Sequence, residues 1–278
     1  MKRLLLFALV LLVGYVVIPP IWRSWRGSSL EKQGLAAFQD ERWAEAARLF
    51  EKAAQYSDDS PQPWYNLGLA RVKMGDLRGA SSALKKAVSI DFNQPDTLLL
   101  LAYTQLGLGE YAGAEDLAEA TLRFKPNSAG AYYVLGCVYA QTKRITNAID
   151  AYRQSILEEP GNASARYNVG YCYANLNRNE EARVELEESV HLAPSDISAH
   201  LLLGRVYANL GNIPAADEQQ RTLRKLDRRA AVELLEYIEK KVNGPGAKSV
   251  DASGATNSPL SSGPRPGDSG GHKTGTAP

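Results

Sequence analysis

An all-α fold of six 34-residue helix–turn–helix repeats, closed by one further helix, is predicted by three observations. Ala46, Ala80, Ala114, Ala148, Ala182 and Ala216 follow one another at intervals of 34 residues. Twelve residues before each stands another small residue: Gly34, Gly68, Ala102, Gly136, Gly170 and Gly204. Pro126, Pro160 and Pro194 share a third phase of the same period. No insertion breaks these series. A fixed interval of this length marks units that bury their apolar faces on one another instead of building a closed core.

The elements follow in order. Six units span residues 27–60, 61–94, 95–128, 129–162, 163–196 and 197–230. Two helices joined by a short turn approach closely only where their side chains are small. Glycine or alanine on the first helix is therefore expected to face alanine on the second. Bulkier residues flank the pair at helical spacing: Trp64, Leu67, Leu84 and Ala87 in the second unit, Tyr132, Leu135, Tyr139 and Tyr152 in the fourth. Gly75, Gly109, Asn177 and Gly211 mark the inner turn, and the prolines mark the end of the second helix. From Ala231 to Asn243, Ala231, Leu234, Leu235, Ile238 and Val242 form one apolar stripe. That amphipathic helix reads most simply as a solvating cap, with a partner-binding helix as the alternative.

Trp64, Leu67, Gly68, Ala80, Leu84 and Ala87 in one unit resemble the tetratricopeptide repeat family. So do Tyr132, Leu135, Gly136, Tyr139, Ala148, Tyr152 and Pro160 in another. The resemblance covers about three quarters of the chain, the span of the six units. It implies a right-handed solenoid whose first helices line a concave groove for a protein or peptide partner. The end units depart from the pattern, with Gln33 and Asp58 in the first and Gln220 and Arg228 in the last. Terminal units need a polar outer face.

At the N-terminus, Met1-Lys2-Arg3 precedes an uncharged run from Leu4 to Ile18 and then Pro19-Pro20. As a helix, residues 1–18 would span about 27 Å, against roughly 30 Å of hydrocarbon core. Residues 1–26 are therefore expected to form a single-pass membrane anchor, with a cleaved signal peptide as the alternative. Trp22 and Trp25, between Arg23 and Arg26, would sit at the interface. The solenoid would then lie in the periplasm or elsewhere outside the cytoplasm. Residues 244–278 are rich in Gly, Ser, Pro and Thr, lack aromatics, and are expected to be disordered.

Composition excludes other classes. Formal charge is +1, so nucleic-acid binding is not expected. Arg221, Arg224, Lys225 and Arg228 share one helical face, which reads as solvated or as a site for an acidic partner. Cys137 and Cys172 sit in the first helices of adjacent units, too far apart for an easy disulfide. The three histidines give no metal-ligand spacing, and no nucleophile motif is present. Neither an enzyme nor a cofactor is expected.

By the resemblance, the fifth and ninth residues of each unit point into the groove. These phases supply Tyr65, Leu69, Leu99, Tyr103, Tyr133, Tyr167, Tyr171 and Arg205 as candidate partner-binding residues. Tyrosine joins apolar area to a hydroxyl and loses little entropy on ordering, which suits peptide contact. Packing between adjacent units is the competing account of the same rings. The lysine and asparagine clamp that some family members use for a terminal carboxylate is largely missing. Glu31, Leu35, Asp96 and Leu100 occupy its phases, and only Asn66 matches. A membrane-tethered scaffold for a protein partner, in bacterial envelope or secretion assembly, is the expected role. A self-associating component of a membrane complex is the alternative.

Overall fold

The computed structural model describes residues 18–57 and 59–243. These form helices α1 (Ile18–Gln39), α2 (Trp43–Tyr56), α3 (Gln62–Lys73), α4 (Leu77–Ile90), α5 (Pro95–Leu108), α6 (Tyr111–Phe124) and α7 (Ala129–Gln141). They continue as α8 (Ile145–Glu158), α9 (Ala163–Asn175), α10 (Asn179–Leu192), α11 (Ile197–Asn209), α12 (Ile213–Leu226) and α13 (Arg228–Asn243). Among the described residues there is no strand. Each odd-numbered helix packs on the even one that follows, and each even one packs on the first helix of the next unit. The result is an all-α solenoid of six helix pairs with α13 laid against α11 and α12.

All six periodic alanines are fully buried. Their opposite numbers differ from the expected ones. The glycine on four of the first helices meets the large side chain 16 positions later, while the alanine lies beside that contact. A Cβ placed on Gly136 would stand 2.5 Å from Tyr152 Cδ1, and one on Gly68 would stand 2.5 Å from Leu84 Cγ. Gly34 lies under Phe50 and Gly170 under Leu186 in the same way. The third unit departs from this: Ala102 replaces glycine and Ala118 replaces the large residue, both fully buried in one cluster. In the sixth unit the large residue is missing, since Gln220 holds that phase. Leu234 of α13 fills the space over Gly204 instead.

The inner turns share one backbone device. Positive φ recurs at Glu41, Gly75, Gly109, Lys143, Asn177 and Gly211, between 57° and 77°. Glycine adopts that left-handed region freely, whereas Glu41 and Lys143 enter it against a steric cost of about 1–2 kcal/mol. Sequence reading found the glycines and Asn177 and passed over these two. Of the residues that follow, Asp76 and Asn212 accept backbone N–H bonds from the next helix, Arg178 pairs with Glu181 on it, and Arg144 pairs back to Glu115 of α6.

The expected single-pass anchor, and with it the placement of the solenoid outside the cytoplasm, is corrected. Among the described residues no helix is long and apolar enough to cross a membrane. Most of the expected span, residues 1–17, lies outside the described residues, as does the expected disordered tail from 244 onward. Helix α1 carries Arg23, Arg26, Glu31 and Lys32, and each charge in hydrocarbon would cost about 2.5 kcal/mol or more. It runs without a break through the boundary expected at Gly27. Trp22, expected at a membrane interface, lies edge-on to Tyr56 of α2 with a centroid separation of 6.1 Å. Arg26 covers Trp22, and Arg23 donates to the Gln55 carbonyl at 3.1 Å.

Candidate partner-binding surface

First helices of successive units lie side by side, α3 against α5, α5 against α7 and α9 against α11. All eight candidate residues stand on these helices. Burial on the flanking helices leaves their fifth and ninth phases partly open.

The rings fall into three groups. Tyr103 of α5 and Tyr133 of α7 come together at 6.4 Å between centroids, tilted by 34°. Tyr167 and Tyr171, one turn apart on α9, stack at 6.4 Å and 25°. Tyr65 stands apart on α3, in a cleft of about 420 Å³ lined also by Gln62, Asn93, Gln94, Pro95, Asp96 and Thr97. Tyr171 is 46% exposed and Tyr103 37%.

Tyr133 is the most committed of the five. Its hydroxyl accepts from Asn168 Nδ2 at 3.2 Å, and its ring lies 5.7 Å from buried Tyr152. For this ring, packing between units accounts for much of its position. Burial pushes the Tyr103 and Tyr133 phenols up to about 12, with neighbouring Tyr133 and Cys137 respectively adding to the effect. Tyr65 and Tyr167 are raised too, first by burial and then by Asp96 and Asp196. Neutral phenols that present partly open rings can donate hydrogen bonds and stack; none is poised to act as a base.

Leu99 and Tyr103 lean on Gly130 at the start of α7. A Cβ there would stand 3.0 Å from Leu99 Cδ2 and 3.3 Å from the Tyr103 hydroxyl. Leu69 of α3 is half-buried. Arg205, on α11, points to a different use. It pairs with Glu233 of α13 and lies 5.5 Å from the centre of the Tyr237 ring, whose hydroxyl donates to Asn209 Oδ1 at 2.8 Å. Arg205 therefore ties the last helix to the first-helix wall and bounds the surface there.

Asn66, the lone match to the carboxylate clamp, is also spent internally. It donates to Glu31 Oε1 at 3.1 Å and accepts from Gln62 at 3.1 Å. Burial raises the Glu31 carboxyl, partly offset by that bond. Asn66–Glu31 and Asn168–Tyr133 span the same 35-residue separation, so both are one inter-unit tie used twice. That tie was invisible in the sequence, because its two ends lie on different first helices at adjacent phases. Cys137 and Cys172 are free thiols, and burial raises the latter to about 11. Among the described residues no group of His, Cys, Asp and Glu is arranged to hold a metal.

Tetratricopeptide repeat models match residues 37–96, 72–136 and 197–219, and the model for anaphase-promoting complex, cyclosome, subunit 3 matches residues 109–189. The fold is similar to that of pilF of Pseudomonas aeruginosa, with TM-score 0.67 and 16% identity over 77% of this chain and 98% of that one. It is similar to MamA from Desulfovibrio magneticus RS-1, with TM-score 0.57 and 20% identity over 62% and 97%. It is also similar to YrrB, a repeat protein described as having an unusual peptide-binding site, with TM-score 0.54 and 21% identity over 68% and 99%. No curated protein matches in sequence. With six helix pairs at one period and these matches along its length, the chain belongs to the tetratricopeptide repeat family.

Proposed function

We propose that this chain is a protein-interaction scaffold that holds an extended partner segment along its first-helix groove, against Tyr65, Tyr103, Tyr133, Tyr167 and Tyr171. The supporting observation is the pair of partly open tyrosine contacts on neighbouring units, each at 6.4 Å. Rings held at fixed spacing by the solenoid give a guest apolar area at little entropic cost to the host. Leu69 and Leu99 widen the apolar floor beside them, and Arg205 closes the far end through Glu233. The likeness to YrrB adds weight to a peptide guest, since that protein is described as peptide-binding. On this reading the chain carries out no chemistry of its own.

Selection of ten-residue segments from a displayed library against the full chain tests the groove. Segments enriched by the native chain are expected to lose about tenfold or more in affinity for a Tyr103→Ala/Tyr171→Ala variant, the loss of two aromatic anchors. Equal recovery by both proteins, with thermal unfolding unchanged, would remove the groove from consideration.

A second reading is favoured by one observation. Val232, Leu235 and Val242 are exposed on one stripe of α13, a face on which a second copy of the chain would bury apolar area. Light scattering over a range of concentrations decides this; a constant monomer mass ends it.

A further inference from the structure

Among the described residues, the five groove tyrosines and the carboxylates near them are not matched with cations from this chain. Several rings on other faces are. Arg26 lies over Trp22 and Tyr56, Lys73 over Trp43, Arg144 over Tyr139, and Arg153 and Arg178 over Tyr173. Tyr237 receives both Arg205 and Lys241. Among the described residues, none of Tyr65, Tyr103, Tyr133, Tyr167 and Tyr171 has a cation over its face.

Among the described residues several carboxylates pair with arginine, and others, on more than one face, do not. Glu51, Glu115, Glu181, Glu185, Glu187 and Glu233 pair with arginine. Asp96, Glu159 and Asp196 have no ion pair among the described residues, and each bears on the groove. Asp96 lines the Tyr65 cleft. Asp196 caps α11, the helix beside the α9 that carries Tyr167, and the charges of Glu159 and Asp196 add to burial in raising the Tyr103 and Tyr167 phenols. Arg205 also faces Tyr167, but its charge is taken up by Glu233. Lys73 is turned to Trp43.

We infer that the groove is selective for a cationic partner, an extended segment bearing lysine or arginine side chains. This deepens the proposed function and rests on it. A lysine or arginine head over a tyrosine face is attracted by the ring's electron-rich surface, more strongly where water is excluded. A nearby carboxylate adds a modest attraction of its own. The two effects coincide at Tyr65 with Asp96, at Tyr103 with Glu159, and at Tyr167 with Asp196. Formal charge of the whole chain is only +1, so a general acidic field does not produce the same preference.

Fluorescence anisotropy of the full chain with three labelled nonapeptides tests this: alternating Lys and Leu, Glu and Leu, and Ser and Leu. The lysine peptide is expected to bind about tenfold or more tightly than either of the others at low salt, the equivalent of about 1.4 kcal/mol. That advantage should shrink several-fold in an Asp96→Asn/Glu159→Gln/Asp196→Asn variant, the remainder resting on the rings. Asparagine at 196 keeps an acceptor for the bonds that Asp196 takes from Ser198 N and Ala199 N, so the cap of α11 survives. If all three peptides bind alike, yet all are lost with Tyr103→Ala/Tyr171→Ala, the cationic preference is overturned and the groove stands. A lysine preference undiminished in the carboxamide variant overturns it too, by locating the attraction elsewhere. Absence of binding by every peptide overturns both readings.

Discussion

The third and fourth units have the same length and the same two helices, yet they fill corresponding positions with opposite residues. At the helix crossing the third places Ala102 against Ala118, whereas the fourth places Gly136 beneath Tyr152. At the inner turn the third has Gly109 and the fourth Lys143, with φ of 77° and 64°. The position that follows the turn is Glu110 in one and Arg144 in the other; Arg144 pairs with Glu115 of the third unit and covers Tyr139 of its own. The comparison teaches that the family's geometry constrains the 34-residue period and the hand of the turn, not the summed volume at a crossing. Individual residues at each phase are free to vary within them.

The largest test exchanges the two crossings. Tyr152→Ala should cost about 3–5 kcal/mol, since it empties a buried aromatic site. Gly136→Ala should cost about 1–3 kcal/mol by overpacking against the ring. The double variant copies the third unit's pair, so its cost should fall short of the two single losses added together. Denaturant unfolding measures all three, and strict additivity would mean that the crossing does not behave as a shared volume.

Next in size are the turns. Gly109→Ala forces a Cβ into the left-handed region and should lower stability by about 1 kcal/mol. Lys143→Gly should raise it by less, roughly 0.5 kcal/mol, because glycine's own chain entropy offsets part of the relief. Thermal melts that moved in the same direction for both would break the correspondence between the turns.

A pH effect should follow from the Tyr103–Tyr133 contact that joins these two units. Burial raises both phenols from 10.0 to about 12. Between those values the folded chain keeps protons that the unfolded chain has released. Stability from this source is therefore complete below pH 10 and is lost as pH rises toward 12. Absorbance titration of phenolate should show a late phase near 12 that shrinks in Tyr103→Phe. The smallest effect should be on stability in Tyr103→Ala, less than about 1 kcal/mol for so open a ring. A larger loss in the melt would make Tyr103 a packing residue.

Much of the fold was legible because a solenoid is nearly one-dimensional: each unit meets only its neighbours, so period translates directly into architecture. The candidate surface was legible to the level of phase. Tyr103, Tyr171 and Tyr65 are partly open, while Tyr133 turned out to be half spent on Tyr152 and Asn168. The competition for Arg205 was not legible, because Glu233 and Tyr237 reach it from a helix outside the repeat pattern. Trp22 and Arg26 were misread for a related reason. Interleaved aromatics and arginines fit a membrane interface as well as a helix packed on Tyr56.

By itself the sequence determined the number of units, their two helices and their turns, since these depend on local periodicity and on backbone conformations that few residues accept. Only the tertiary structure decided which side chain fills the space over each glycine. It also decided which rings receive a cation and which of the candidate residues stay partly open. Those outcomes depend on side chains meeting across helices, where the choice of partner is set by volume and charge in three dimensions.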